Sequence, residues 1–452
     1  MWKIDSRCLI ILSLIWTLSG CTGNKKADSS QESLDSLSDD SLLTLVQYRT
    51  FQYFWDGAEP VSGMARERIH IDGIYPENDQ TVVTTGGTGF GLMAILVAIE
   101  RGFITREDGI KRLAHIIEYL GKADRFHGAW PHWIEGTTGK VKPFGSKDDG
   151  GDIVETAYLA QGLLCVKQYF NQPGAREQAL SGAADSLWRG IEWNWYRNNL
   201  NVIYWHWSPN YQWEMNFPIH GYNECLITYV LAGSSPDHGI PAEVYHQGWA
   251  RGGDIITDVT SYGYKLALKH NGAEKFGGPL FWAHYSYLGL DPRGLKDLYA
   301  DYWEHNRNHV LINRQHCLEN PGNYKGYGKN CWGLTASYSI RFYAAHSPAG
   351  DLGVISPTAA LSSFPYTPEY SMNALEYFYY ELGDRLWGPY GFYDAFSIHD
   401  DWFTKKYLAI DQGPIVVMIE NYRSGLLWKL FMSAPEVKMG LAKLGFTSPV
   451  LQ

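Results

Sequence analysis

Four carboxylates crowd one short stretch, 148–155, which reads DDGGDIVE, and a long apolar run follows it to Leu164. Asp152 and Glu155 stand three residues apart, which places them on one face of a helix. Part of this charge has a structural explanation. Asp152 suits an N-cap and Glu155 the third residue of a capping box, and both complement the helix dipole. Capping leaves Asp148 and Asp149 over, beside a glycine pair that removes side-chain bulk. The arrangement recurs. In HGYNECLITYVLAG, Asn223 takes the cap position and Glu224 precedes an apolar helix. In AIDQGPIVVMIENYR, Asp411 is placed as the cap, Pro414 falls in the first turn, and Glu420 lies further along. Any one of these is better explained as capping than as catalysis. Three apolar helices that each open on a carboxylate point to a site.

Two carboxyl groups in one place can divide the work of glycoside hydrolysis. One stays protonated to donate to the leaving oxygen, and the other stays ionised to activate water or to attack. Burial beside Trp raises the pKa of the acid. The loops supply a matching platform. Aromatic residues make up 15% of the chain, and many fall in polar loop segments. Examples are HGAWPHWIEG (127–136), YWHWSPNYQWEM (204–215), FWAHYSYLGLDPR (281–293) and WGPYGFYDAF (387–396). Core filling accounts for a share of them. The rest suit a sugar, whose apolar face packs on a ring and whose hydroxyls want short polar partners. The catalytic candidates are therefore Glu224, Asp411, Glu155 and Asp152. The substrate-binding candidates are Asp148, Trp130, His132, Trp133, Trp205, His206, Trp207, Asn223, His284, Tyr285, Trp332 and Glu420.

Other chemistries find little support. HExxH and EF-hand patterns are absent, as are GxSxG and the P-loop. The nearest metal-like triplet, His399 to Asp401, reads better as a solvated turn. GGTGFG (86–91) follows no strand of a βαβ unit, so a dinucleotide site is rejected. No metal and no cofactor is expected.

The elements that must position these residues are helices. A 3.6-residue period marks 42–55, 88–102, 107–121, 152–169, 176–196, 222–232, 294–312, 333–345, 369–383 and 413–432. Long loops rich in Gly, Pro and aromatics separate them, at 57–87, 122–151, 197–221 and 313–332. Strand alternation is rare and brief. Loops of this length are uncommon unless functional. The pattern predicts an all-α fold of helical hairpins closed into a ring, an (α/α) toroid. The runs FGLMAILVAIE and GPIVVMIENYRSGLLWKLF are apolar nearly all round, as inner-ring helices covered on both sides would be. Inner helices of such a ring run parallel. Their N-termini open on one face, which would gather Glu155, Glu224 and Asp411 around one crevice.

The remaining sequence bounds the setting. Of 452 residues, 45% are hydrophobic and 19% charged, enough to bury a large core. The formal net charge is -10 and no basic stripe is visible, so nucleic-acid binding is excluded. Residues 1–20 read as a lipoprotein signal peptide: Lys3 and Arg7, an apolar segment, then LSGC with Cys21 as the expected lipidated N-terminus. Residues 21–41 read as a Ser- and Asp-rich tether too poor in apolar surface to order itself. Residues 42–452 form one catalytic domain, a monomer held by lipid in the bacterial envelope, on the periplasmic side or the outer-membrane surface. Membrane contact is expected only through that anchor. Cys165 and Cys225 lie in apolar runs, while Cys317 and Cys331 are free to pair or not.

Ten segments, quoted as they stand, carry a family resemblance. They are FQYFWDGAEPVSGMARER, TTGGTGFGLMAI, HGAWPHWIEGTTGKV, DDGGDIVETAYLAQGLL, YWHWSPN, GYNECLITYVLAG, CWGLTAS, PTAALSSFPYTPEYS, YGFYDAFS and LAIDQGPIVVMIENYRSGLLWKLFM. Together they resemble the bacterial glucoamylase-like domain of glycoside hydrolase family 144, from about Leu42 to the C-terminus. The resemblance implies an (α/α)6 barrel that hydrolyses β-1,2-linked glucans or their sophoro-oligosaccharides, by endo action or by sophorose release. It implies inversion of configuration without metal. By motif it makes Glu224 the general acid and Asp411 the general base, with Asp152 and Glu155 as rivals for the base. Asp148, Asp152 and Glu155 would bind substrate or support catalysis. Two other readings stand beside this one. A polysaccharide lyase would need cations for a uronate and a Tyr or His base, against the acidic balance. A non-catalytic glycan-binding lipoprotein would keep the aromatic loops but has no use for carboxylates at helix ends.

Overall fold

The computed structural model describes residues 37–171 and 174–451; the signal segment, Cys21 and most of the tether lie outside the described residues. The chain lays down helices in outer–inner pairs. α1 (Asp39–Trp55) precedes α2 (Thr85–Glu100), α3 (Arg106–Lys122) precedes α4 (Ile153–Tyr169), and α5 (Ala175–Arg189) precedes α6 (Leu226–Ser234). The fourth pair is shorter. α7 (Ala242–Val244) runs into a π turn at Tyr245–Trp249, and its mate is two 3-10 turns, Leu280–Ala283 and Tyr285–Tyr287. α8 (Tyr302–Glu319) precedes α9 (Pro357–Leu361). α10 (Pro368–Glu376) passes through a π turn to α11 (Gly383–Leu386) and precedes α12 (Ala409–Arg423). α13 (Leu426–Ser433) and α14 (Pro435–Lys443) close the chain.

Burial separates the two rings. On α2 and α4, nearly every residue from the first turn to the last is buried, as a helix covered on both sides requires. On α3, burial is confined to one stripe, with Leu113, Ile116, Ile117 and Leu120 inward and charged residues outward. α2 packs against both α4 and α12, and α4 packs against α6, so these inner helices stand side by side. The architecture is the expected all-α (α/α)6 toroid.

Short strands lead three of the inner helices and fix where they begin. Val82–Thr84 runs into α2 and pairs with Trp133–Glu135. Gly151–Asp152 runs into α4 and pairs with His206–Trp207. Lys406–Leu408 runs into α12 and pairs with Arg68–His70. The residues at these helix mouths are thus held by backbone ladders from the long loops.

Several predicted elements differ. Residues 333–345 form no helix; Ala336–Tyr338 and Tyr343–Ala345 make a two-stranded hairpin. Gly333 there has φ 127°, outside helical space, and Ser339 Oγ donates to the Phe342 carbonyl across the turn. The run 413–432 is two helices, because Gly425 takes the left-handed region at φ 72°. α8 begins at Tyr302, where Asp301 accepts from the Glu304 N–H at 3.2 Å as N-cap, eight residues later than expected. α1 begins at Asp39, inside the stretch expected as tether. Cys165, Cys225, Cys317 and Cys331 are all buried free thiols. Among the described residues no helix is long and apolar enough to cross a membrane.

Candidate functional site

A cavity of about 250 Å³ opens at the N-terminal mouths of the inner helices, lined by Glu155, Glu224, His132, Trp133, Trp205 and Tyr285 among others. A second lobe of about 460 Å³ continues past Trp205 and Glu224 toward His220, Arg251, Asn271 and Trp282. Glu224 and Trp205 stand on both, so Glu224 marks the junction of the two lobes.

The glycine pair in DDGGD is explained by the strand that pairs with it. A Cβ on Gly150 would lie 2.1 Å from the Trp207 carbonyl oxygen, and one on Gly151 would lie 2.0 Å from the Tyr196 hydroxyl. The acidic run can therefore lie flat beneath His206 and Trp207. Asp149 turns away to Ser208 and Asn210. Asp148 is buried, with one oxygen 3.2 Å from His206 Nδ1.

Asp152 is the N-cap of α4. Its Oδ1 accepts from the N–H groups of Val154 and Glu155, both at 2.9 Å. Its Oδ2 accepts from His132 Nδ1 at 2.8 Å and from Trp205 Nε1 at 3.1 Å. Burial alone would raise its pKa, but the bond from His132 and the charge of His206 and His132 hold it below the usual carboxylate value. The same network pushes His132 up to about 10: burial opposes its charge, and Glu155 and Asp152 outweigh burial. Asp152 is thus held ionised with two donors on each oxygen, a geometry that orders the residues around it.

Glu155 does not close a capping box on its own helix. Its Oε2 reaches the mouth of α2, accepting from the Gly86 N–H at 2.8 Å and from Thr84 Oγ1 at 3.3 Å. A Cβ on Gly86 would sit 2.5 Å from that oxygen, so the glycine makes the approach possible. Burial lifts the Glu155 pKa to about 7. Glu224 lies just before α6. Asn223 is not the cap of α6, which is Cys225; its Oδ1 accepts from the Cys225 N–H at 2.9 Å in a turn just before the helix, and the Glu224 carboxyl is left to the cavity. Burial, helped by the charges of Glu155 and Asp152, brings Glu224 to about 7 as well.

Asp411 is the third residue of α12, not its cap, which is Leu408. Its carboxyl is buried one layer behind the cavity wall, and Tyr285 and Tyr343, which line the cavity, both feel its charge. Glu155 and Glu224 also bear on Tyr285 electrostatically. The Tyr285 hydroxyl is buried and has no hydrogen-bond partner among the described residues.

Of the substrate-binding candidates, Trp133, Trp205, His132 and Tyr285 line the first lobe, and Asn223 lines the second. His206, Trp207 and Asp148 support the floor from behind. Four candidates are not at the cavity. Trp130 is fully buried, donates from Nε1 to the Leu120 carbonyl at 3.0 Å and stacks under Arg125; it is core. Trp332 is fully buried as well. Glu420 sits near the far end of α12, paired with Arg101 at 2.7 Å. His284 is buried against Ser363 Oγ at 3.0 Å.

The cavity also holds residues that the pattern reading passed over: Glu67, Arg68, Phe144, Tyr158, Phe281, Tyr338 and Tyr343. Glu67 and Arg68 belong to GMARER, where two charges beside a short strand were the available signal. Arg68 is paired with Asp79 at 3.1 Å and Glu67 at 3.7 Å. At the first lobe, Arg68 and His132 each have their own carboxylate partner. His132, Asp148 and Asp152 present ligand atoms within 4.8 Å of one another. The His132–Asp152 bond already uses two of those atoms, so a cation there would have to break it.

Carboxyl groups with raised pKa values over an aromatic cleft, at the mouth of an (α/α)6 ring, define a site of the glycoside hydrolase class. The Glycoamylase family model, a glucoamylase description, matches residues 216–435. An endo-β-1,2-glucanase from Chitinophaga pinensis, solved with sophorotriose and glucose, is 66% identical with a TM-score of 0.91, over 92% of this chain and 100% of that one. The exo β-1,2-glucooligosaccharide sophorohydrolase of Parabacteroides distasonis is 47% identical over 429 residues, 90% of this chain. The chain spans 58% of the length of that curated relative. An endo-β-1,2-glucanase from Talaromyces funiculosus shares the fold at 10% identity, with a TM-score of 0.66. The chain belongs to the glucoamylase-like family of β-1,2-glucanase type, glycoside hydrolase family 144.

Proposed function

We propose that the protein hydrolyses β-1,2-linked glucans or sophoro-oligosaccharides with inversion, Glu224 as general acid and Asp411 as general base. The observation that carries this reading is the position of Glu224. It stands where the two lobes meet, with a pKa near 7, so it holds a proton in the range where a hydrolase works. Sugar units in the two lobes would place a glycosidic oxygen beside it. Trp205, stacked on Phe217 at 5.2 Å and 7°, and Trp133 offer ring faces to the sugars.

Asp411 opens a different helix, and its charge bears on Tyr285 as that of Glu224 does. An inverting enzyme needs its base to act on a water on the face of the sugar opposite the acid. From behind the cavity wall, Asp411 reaches the water through an intervening hydroxyl of the substrate. Asp152 is removed as a rival because both its oxygens are committed to donors. The protein acts as a monomer, anchored by a lipid on Cys21 to the envelope.

Digestion of linear β-1,2-glucan, with products separated over time and the new anomeric centre read by proton NMR, tests the reading. An α-anomer appearing first supports inversion; a β-anomer, or no cleavage, refutes the proposal. Early oligosaccharides of mixed length mean endo action, and sophorose alone means exo action.

A further inference from the structure

Asp411 has a neighbour that the reaction as written leaves out. Asp394 lies between the strands Gly391–Phe392 and Phe396–Ser397, and its side chain meets that of Asp411. Both are buried. Neither oxygen of Asp411 receives an N–H or O–H from any other described group, and the same holds for Asp394 Oδ1. Asp394 Oδ2 accepts from the Tyr338 N–H at 2.7 Å. Two ionised carboxyls in contact, with a single backbone N–H between them, repel strongly, and a shared proton removes the conflict.

We propose that the base of this enzyme is the Asp394–Asp411 pair with one proton between them, Asp394 acting as a positioning residue through Asp411. The proposal rests on Asp411 being the base. In the resting pair Asp394, charged and steadied by the Tyr338 amide, accepts the proton held by Asp411. During hydrolysis water loses a proton to the pair, its oxygen bonds to the anomeric carbon, and the bond to the leaving oxygen breaks. Glu224 gives its proton to that oxygen. The pair goes from one negative charge to none while Glu224 goes from none to one, so charge balances. Solvent then resets both.

The surroundings favour one charge and disfavour two. Glu67 faces both carboxyls and adds repulsion, while Lys406, on the strand leading into α12, faces Asp394 and favours its charge. From the cavity side the neutral phenols of Tyr285 and Tyr343 face Asp411. Burial raises Asp394 to about 6 and lifts Asp411 well above the usual carboxylate range.

Asp394→Asn tests the pair, because an amide donates to Asp411 but cannot share its proton. Expected are a fall in kcat of about tenfold to a hundredfold, KM within twofold, and an acidic limb of kcat moved to lower pH. Asp394→Glu should restore most of kcat and return the limb. An infrared difference spectrum at pH 8 gives a readout independent of activity: the band of a protonated carboxyl should vanish in Asp394→Asn and in Asp411→Asn alike. A limb that stays in place, or a band that survives in Asp394→Asn, overturns the proposal. Should Asp394→Asn not fold, Asp394→Glu and the band in Asp411→Asn decide it. If Asp411→Asn keeps full turnover while the band behaves as expected, the pair exists but Asp411 is not the base, and both the proposal and the base assignment fall.

Discussion

At the mouth of α4, each oxygen of Asp152 has a donor: two backbone N–H groups on one side, a histidine and an indole on the other. At the mouth of α12, Asp411 has no such donor among the described residues and meets only Asp394. Both carboxylates sit within the first turn or at the cap of an apolar inner helix. The sequence pattern is the same and the chemistry is opposite. A fully bonded carboxylate is held ionised and fixes geometry. One stripped of donors keeps a proton and can exchange it. Glu224, with a pKa near 7 at the junction of the lobes, also keeps a proton, although its own backbone N–H reaches its carboxyl. The contrast teaches that the number of donors at a helix mouth decides whether a carboxyl there is held ionised or keeps a proton.

The sharpest break of this contrast is Glu224→Gln. The amide keeps the shape and removes the proton that the leaving oxygen needs. We expect kcat to fall by about 10³-fold or more, with KM within about threefold, measured by reducing-end release. Full activity in this variant would end the acid assignment. Asp152→Ala attacks the bonded wall instead. It removes the cap of α4 and leaves the half-buried His132 imidazolium without its partner, so denaturant unfolding should show about 2 kcal/mol lost stability. An Asp152→Ala protein as stable as wild type would mean that the wall is not structural.

A smaller effect probes the contact between two helix mouths. Gly86→Ala puts a methyl within 2.5 Å of Glu155 Oε2 and 2.9 Å of the Tyr158 ring. Glu155 must turn from α2 into the cavity, and kcat/KM should drop about tenfold, roughly 1.4 kcal/mol. Unchanged kinetics would show that Glu155 has room to spare.

Much of this was legible beforehand, and the reasons for success and failure are physical. The all-round apolar run within 88–102 marked a helix covered on both sides, and the carboxylates at the starts of 152–169, 222–232 and 413–432 marked the open face. Trp130 and Trp205 show the limit. Both stand in aromatic loop motifs, yet Trp130 turns inward to the Leu120 carbonyl and Trp205 turns to Asp152 at the cavity. Local sequence holds no record of which way a loop ring faces. Residues 333–345 carry a helical apolar spacing, but a glycine in non-helical space and a serine turn make them a hairpin, and so Tyr338 and Tyr343 went unnoticed. Asp394 was hidden for the same reason: it matters through a contact with Asp411, 17 residues later, that only the folded chain makes.

The finest test compares the two walls through pH. The folded Glu224 has its pKa raised by burial above the ordinary carboxylate value, to about 7. Such a group binds more protons folded than unfolded. Its contribution to stability is whole below about pH 4.5 and is lost as pH rises toward 7. His132 is also raised, to about 10, by Glu155 and Asp152 against burial. Its contribution is whole below about pH 6.5 and is lost as pH rises toward 10. Glu224→Gln removes the first loss and leaves the second. At pH 8 the variant should be more stable than wild type by about 1–2 kcal/mol, allowing for the partial exposure of the carboxyl. At pH 4.5 the two should match. Urea titrations at both pH values read the difference directly. A gap that stays constant with pH would show that Glu224 is not held protonated by its surroundings, and Glu224 would then belong with the bonded wall.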